Sequence, residues 1–398
     1  MADIFSEAKL GPITLRNRVI KAATYEGLSF HNRVTQDLID YHVAPARGGV
    51  GMTTVAYLAV SPDGRTDLHQ VVWSPEAMPG LRKLTEAVHA EGAAVSAQIG
   101  HAGPVANGKV NKARCLAPSR FFQPQAMQFA KVATHADIER VIADHARAAR
   151  MAIEAGFDAV EVHLGHTYLA SAFLNPKLNH RTDEYGGSLA NRAKVALGIT
   201  RAVREAVGDK IAIIAKLNMT DGVKGGISMD ESIQTAQWLE ASGDVDALEM
   251  TAGSSLLNPM YLFRGKAPIK EFAAVMPQPV RFAMGFVGKQ FLKEYPYEDL
   301  YLLERAKQVR AELTLPMILL GGVVDKPGID QAMADGFEFV AMARALLREP
   351  DLINRIAADS QTPSLCIHCN RCMPTNFTGT HCPEIASGAR TANWTVQL

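Results

Sequence analysis

Three residues at one point of the chain could act together. His163 and His166 stand three residues apart and Tyr168 follows, directly after the apolar run Phe157-Asp158-Ala159-Val160-Glu161-Val162. Two imidazoles at a strand end can converge as donors on one oxygen, and a phenol close by can deliver a proton. Activation of a carbonyl with protonation is the chemistry this set could perform. Each residue alone reads equally well as a packed or surface side chain with a satisfied hydrogen bond. Three of them at one strand end favour a site.

Other strand ends carry matching groups. Gln98 closes an apolar run, with His101 just beyond, and a carboxamide there can donate and accept along the edge of a heterocycle. Lys216 ends Ile213-Ile214-Ala215-Lys216, where a buried cation calls for an anionic partner; a ligand is the natural one, a surface ion pair the plain alternative. Gly321-Gly322 and Ala343-Arg344 end the last two runs. Backbone amides plus a guanidinium suit a phosphate monoester, whereas a Gly-Gly pair alone is more often a turn.

These residues need strands to position them. Short apolar or β-branched runs alternate with helical patterns at 18–24, 51–60, 93–99, 157–164, 210–217, 246–250, 315–320 and 337–343. Helices are expected over 136–155, 191–207, 229–241 and 297–313, several preceded by Asp or Ser as N-caps. Eight such units predict a single (β/α)₈ TIM barrel. Loop insertions are expected at 101–134 and 254–296, the latter as a cap over the site or a dimer contact. The domain division is a barrel over 1–350 and a short cysteine-containing extension over 351–398. A doubly wound sheet would open on a glycine-rich turn, and Ala22-Ala23-Thr24-Tyr25 is not one.

The bulk properties narrow the function. The chain is 47% hydrophobic and 21% charged, a globular composition, and its 41 basic and 41 acidic residues cancel. No net field draws it to nucleic acid or an anionic membrane, so a small-molecule substrate is the expected partner, with a homo-oligomer open. No run approaches the ~18 apolar residues of a membrane span, and a cytoplasmic location is expected.

Taken together, the motifs resemble the Old Yellow Enzyme family of FMN-dependent oxidoreductases, in the branch of 2,4-dienoyl-CoA reductase and trimethylamine dehydrogenase. The resemblance spans nearly the whole chain. It rests on Leu15-Arg16-Asn17-Arg18, Gln98-Ile99-Gly100-His101-Ala102-Gly103, His163-Leu164-Gly165-His166-Thr167-Tyr168 and, most specifically, Asn179-His180-Arg181-Thr182-Asp183-Glu184-Tyr185-Gly186-Gly187-Ser188. It implies FMN at the barrel mouth, with Ala23, Thr24 and Tyr25 beside the ring, Tyr57 as a further contact, and Gln98 on the pyrimidine edge. Lys216 would face the side that gains negative charge on reduction, where many relatives have Arg. Gly321, Gly322, Ala343 and Arg344 would hold the phosphate, Ala343 replacing the usual Gly. NADH or NADPH would reduce the flavin. An activated alkene would then take hydride from flavin N5 while His163 and His166 bind its oxygen and Tyr168 protonates it.

Cys366, Cys369, Cys372 and Cys382 crowd together, far from Cys115. Their spacing suits thiolate ligation of zinc or a 4Fe-4S cluster, the latter being what the resemblance implies. The last spacing is shorter than in those relatives, which leaves a tail without metal open. Two further readings remain for the barrel: a flavin-dependent amine or C–H dehydrogenase, and a non-redox aldolase in which Lys216 forms a Schiff base.

Overall fold

In the computed structural model, which describes residues 3–123, 127–276, 278 and 280–385, eight parallel strands close into one barrel. They are β1 (Val19–Tyr25), β2 (Met52–Ala59), β3 (Ala94–Gly100), β4 (Ala159–Leu164), β5 (Ala212–Asn218), β6 (Ala247–Thr251), β7 (Met317–Leu320) and β8 (Phe339–Met342). Each pairs with the next, and β8 closes onto β1 through Val340 opposite Val19. The fold is therefore the expected (β/α)₈ barrel, with strand boundaries within two residues of those read from the sequence.

A helix follows each strand: α1 (Gln36–Arg47), α2 (Met78–Ala90), α3 (His135–Glu154), α4 (Leu189–Val207), α5 (Met229–Ser242), α6 (Leu303–Arg310), α7 (Lys326–Ala334) and α8 (Leu352–Ala358). The caps are local. Ser188 and Asp325 accept from backbone amides of α4 and α7, and Thr134 with Asp137 and Ser228 with Glu231 form capping boxes. The helix expected over 297–313 is shorter, beginning at Leu303. Leu300 takes a left-handed φ of 56° and donates its N–H to Gly322 O at 3.1 Å, so this segment lies as a loop over the end of β7.

Alternation along the strands builds a graded interior. At the N-terminal ends the barrel is filled by Ile20, Met52, Ala159, Ala212, Ala247, Ile318 and Phe339, and a hairpin of Ala8–Leu10 and Ile13–Leu15 plugs it with Leu10 and Leu15. Toward the C-terminal ends the inward positions turn polar: Gln98, Glu161, His163, Lys216, Glu249 and Thr251 are all buried. Apolar filling at one end and buried polar groups at the other mark the second end as the place for chemistry.

The insertion after β6 folds into Met260–Phe263, Ile269–Val275 and Val280–Phe291, with Met260, Met284 and Leu292 as a small core. The extension packs onto it: Asn370 Nδ2 donates to Arg264 O and Lys266 O, and Met373 joins that core. Farther along, Thr380 donates its N–H to Glu26 O and its hydroxyl to Tyr25 O, just past β1. The cysteine segment thus crosses the C-terminal face of the barrel. Among the described residues no helix is long and apolar enough to cross a membrane.

Candidate active site

Alternation along β4 sends Ala159, Glu161 and His163 inward and packs Val160 and Val162 against the helices. The chain then turns sharply. His166 and Thr167 both have left-handed φ, 58° and 67°, which is costly for residues with a β-carbon and must be held by surrounding contacts. The holding contacts are His166 N–H to Asn218 Oδ1 at 3.1 Å, Ser255 N–H to His166 O at 3.1 Å, and a hydroxyl pair between Thr167 and Ser254. Gly165 fits because a β-carbon there would press on Asn218 Oδ1 at 3.0 Å and Thr251 Cγ2 at 3.1 Å.

This turn brings His163, His166 and Tyr168 together, but not in the arrangement expected. Gly165 N–H donates to His163 Nδ1 at 3.1 Å, which leaves the proton of a neutral ring on Nε2. His163 Nε2 lies 3.3 Å from His166 Nδ1, and His166 Nε2 lies 2.8 Å from Thr251 Oγ1. The imidazoles therefore form a chain ending on Thr251 instead of converging on one oxygen. The backbone reversal between them sets their rings edge to face, at 88°.

Tyr168 is half-buried, its ring 4.4 Å from that of His163 and 5.0 Å from that of Tyr57. Burial holds both histidines neutral, pushing His166 down to about 3 with Lys216 adding to the effect, and His163 well below its ordinary value. Burial also raises the Tyr168 phenol, so it is a proton carrier throughout the neutral range.

Below the histidines lies a charged layer. Lys216 stands opposite His163 and Glu249 in the strand register, and Glu161 opposite Gln98. Lys216 Nζ is 2.7 Å from Glu161 Oε1 and 2.9 Å from Glu249 Oε1, and Gln98 Nε2 donates to Glu161 Oε1 at 2.5 Å. The anionic partner of Lys216 is thus supplied by the protein, where the sequence pointed to a ligand. Burial disfavours the ammonium, but the two carboxylates outweigh it and raise its pKa.

At the end of β1, Ala23, Thr24 and Tyr25 are partly buried. The Thr24 hydroxyl takes a hydrogen bond from Lys21 Nζ at 2.8 Å and pairs with Tyr41 OH at 2.8 Å; Tyr25 OH donates to Asp67 Oδ1 at 2.5 Å. Burial lowers Lys21 to about 8. The Tyr57 hydroxyl donates to Gly64 O at 2.7 Å, so its ring is the part presented to the mouth.

Gly321 and Gly322 both have positive φ, but the 297–302 loop approaches them closely. A β-carbon on Gly321 would lie 2.6 Å from Leu302 Cγ, and one on Gly322 2.6 Å from Leu300 N. Beside them, Ala343 precedes the short helix Arg344–Arg348. Arg344 Nη1 donates to Asn370 Oδ1 and to Arg264 O, and its guanidinium lies over the Tyr297 ring at 5.6 Å. The glycines thus serve the loop as a turn, and the arginine ties barrel to extension; both hydrogen bonds run from Nη1 of a group with five N–H donors.

Cys366, Cys369, Cys372 and Cys382 line one pocket with Arg344, Arg348 and His368. Among the described residues no three His, Cys, Asp or Glu side chains stand close enough to share one metal ion. Burial raises Cys372 to about 12 and also raises Cys366.

Glu161, Glu249 and Thr251 were missed by sequence reasoning. The signal for the two acids was present: each interrupts an apolar strand run at a position of inward parity. Thr251, one residue beyond the run expected to end at Met250, carried none.

Comparison with known proteins bears on this arrangement. The NADH:flavin oxidoreductase / NADH oxidase family model matches residues 3–256. The chain is 53% identical over 380 residues to the 4,4'-dithiodibutanoate disulfide reductase of Rhodococcus erythropolis, covering 96% of this chain and 94% of that protein. It is 31% identical over 378 residues to an NADH oxidase of Thermoanaerobacter brockii, 92% of this chain and 53% of that one. A complex of 2-naphthoyl-CoA reductase with 2-naphthoyl-CoA superposes with a TM-score of 0.78 at 25% identity, over 92% of this chain and 54% of the other. The chain therefore spans about half the length of the last two.

Proposed function

Because the chain belongs to the NADH:flavin oxidoreductase / NADH oxidase family, we propose that it binds FMN at the barrel mouth and transfers electrons from NADH or NADPH to an activated alkene. The observation that carries this reading is the grouping of two neutral histidines with a protonated tyrosine above a buried lysine. The mouth fits a flavin. Ala23 and Thr24 are small, Gln98 and Lys216 offer buried donors to a polar ring edge, and Arg344 retains donors beyond Nη1 for a phosphate beside Gly321, Gly322 and Ala343. FMN, when bound, supplies the hydride carrier.

The chain's own residues do the rest. At 3.3 Å the bond between His163 and His166 exceeds the usual length, and a substrate carbonyl oxygen can take its place by accepting a histidine N–H. The neutral rings then stabilise charge developing on that oxygen without a proton being lost to it. Tyr168 delivers a proton to the substrate carbon, and Lys216 holds positive charge at the mouth. The test is the spectrum of anaerobically purified protein before and after NADH. Stoichiometric FMN that bleaches supports the reading; a colourless protein that does not take up FMN rejects it.

A second reading of the acceptor follows from the 53% relative, a disulfide reductase. An organic disulfide needs hydride at one sulfur and releases the other as thiolate, a leaving group stable near neutrality that requires no acid. Tyr168→Phe separates the two: it leaves disulfide reduction in place and removes most alkene reduction.

The four tail cysteines suit a group larger than one ion. Zinc needs its ligands gathered around one ion, and among the described residues no three of these stand so, whereas thiols lining one pocket suit the thiolate ligands of an iron–sulfur cluster. Iron, sulfide and zinc assays on the same anaerobic sample decide between them.

A further inference from the structure

Two carboxylates face one ammonium inside the barrel. Glu161 and Glu249 are fully buried and Lys216 is 2% exposed, and the filling beneath them is apolar. If both acids were ionised, the layer would carry an uncompensated negative charge out of reach of water, which is strongly disfavoured. The hydrogen-bond pattern agrees. Glu161 Oε2 and Glu249 Oε2 have no hydrogen-bond partner among the described residues, while Glu249 Oε1 has the Lys216 ammonium at 2.9 Å. Carboxylate oxygens left this way lack a donor, and a proton on one acid is the smallest addition that supplies it and neutralises the layer.

The groups facing Glu249 are few. Lys216 comes from β5, Glu161 from β4 and Gln98 from β3. Lys21 on β1 acts on the same charges from behind the barrel wall, and His163 and His166 stand above Lys216. On the other side β7 and β8 contribute Ile318, Leu320, Phe339 and Ala341, which carry no charge. Burial first, and Glu161 second, raise the Glu249 carboxyl above the usual range against the pull of Lys216.

We infer that Glu249 and Glu161 hold a single proton between them, making Glu249 a positioning residue that keeps the layer beneath the mouth free of net negative charge for whatever ring occupies it. The part of the inference that concerns the ring rests on the flavin reading; the shared proton does not. Loss of that proton at high pH would place net negative charge under the mouth and disfavour electron uptake there.

The experiment compares wild type with Glu249→Gln, first free of flavin. An acid whose pKa is raised by folding contributes stability that is complete below its unfolded value and lost as pH rises through the folded value. The thermal midpoint of wild type should therefore fall relative to the variant as pH rises from about 4.5 to about 8, and the protonated-carboxyl infrared band at neutral pH should shrink in the variant. Comparing the two proteins cancels Glu26, whose carboxyl is also raised by burial. Parallel pH profiles with an unchanged band would overturn the inference. Should Glu249→Gln not fold, Glu161→Gln removes the same shared proton and is read in the same way. With FMN loaded, the midpoint potential of wild type should fall more steeply with pH than that of the variant; equal slopes would remove the link to the ring. Failure to bind FMN defeats the flavin reading alone and leaves the flavin-free comparison to decide the proton.

Discussion

His163 Nε2 and His166 Nδ1 lie 3.3 Å apart, and the far nitrogen of His166 reaches Thr251. With His163 Nδ1 accepting from Gly165, one tautomer assignment satisfies the chain: both rings neutral, each with its proton on Nε2. The pair is thereby set as hydrogen-bond donors that carry no charge of their own, which suits an oxygen that gains negative charge without being protonated.

This neutrality has a pH signature. A histidine whose pKa is depressed by folding contributes stability present above its unfolded value, near 6.5, and lost as pH falls through the folded value, about 3 for His166. His166→Asn should reduce the acid-side fall in stability by about 1.4 kcal/mol per pH unit below ~6.5, as followed by thermal melts from neutral pH downward. A slope identical to wild type would mean that His166 is charged in the folded protein.

Tyr168 should separate the two half-reactions. Tyr168→Phe keeps the ring against His163 and Tyr57 and removes only the hydroxyl. Rapid-mixing measurements should find flavin reduction by NADH close to wild type and alkene reduction down by roughly 10²-fold or more. Unchanged alkene turnover would assign the proton to another donor.

Lys216 tests the barrel interior. Lys216→Met removes the counter-ion of the single negative charge shared by Glu161 and Glu249 and should destabilise the protein by about 3–5 kcal/mol in denaturant unfolding. The same pairing argues against a Schiff-base role, which requires a lysine with a lowered pKa, whereas this ammonium is held high. Borohydride with a carbonyl substrate should leave no adduct on Lys216.

The barrel was legible because its signals are local. Each strand is a short apolar or β-branched run, and each helix begins near a capping residue such as Ser188 or Asp325. The chemistry of β4 was legible for the same reason, with His163, His166 and Tyr168 adjacent in sequence. What could not be read depends on register between distant strands. Nothing near Lys216 announces that Glu161 and Glu249 will face it, and nothing near Arg344 announces Asn370. The helix expected over 297–313 failed for a related reason: the close approach of Leu300 to Gly322 overrides the helical pattern of its first turn.

Gly103 offers a test of how Tyr168 is positioned. Its φ is 54°, and a β-carbon there would lie 2.6 Å from Leu169 Cα and 2.8 Å from Leu169 N, backbone atoms that cannot swing aside. Leu169 N–H is itself bonded to His101 O at 2.9 Å, so this contact fixes the backbone immediately after Tyr168. Gly103→Ala must strain the left-handed backbone, at roughly 1–3 kcal/mol, and push the Leu169 segment. Stability should fall by at least that strain. Alkene reduction should fall further than flavin reduction, because displacement of Tyr168 misplaces the proton donor while leaving Gln98 and Lys216 undisturbed. Equal losses in both half-reactions, measured by rapid mixing, would show that Gly103 supports the barrel mouth as a whole and not the tyrosine.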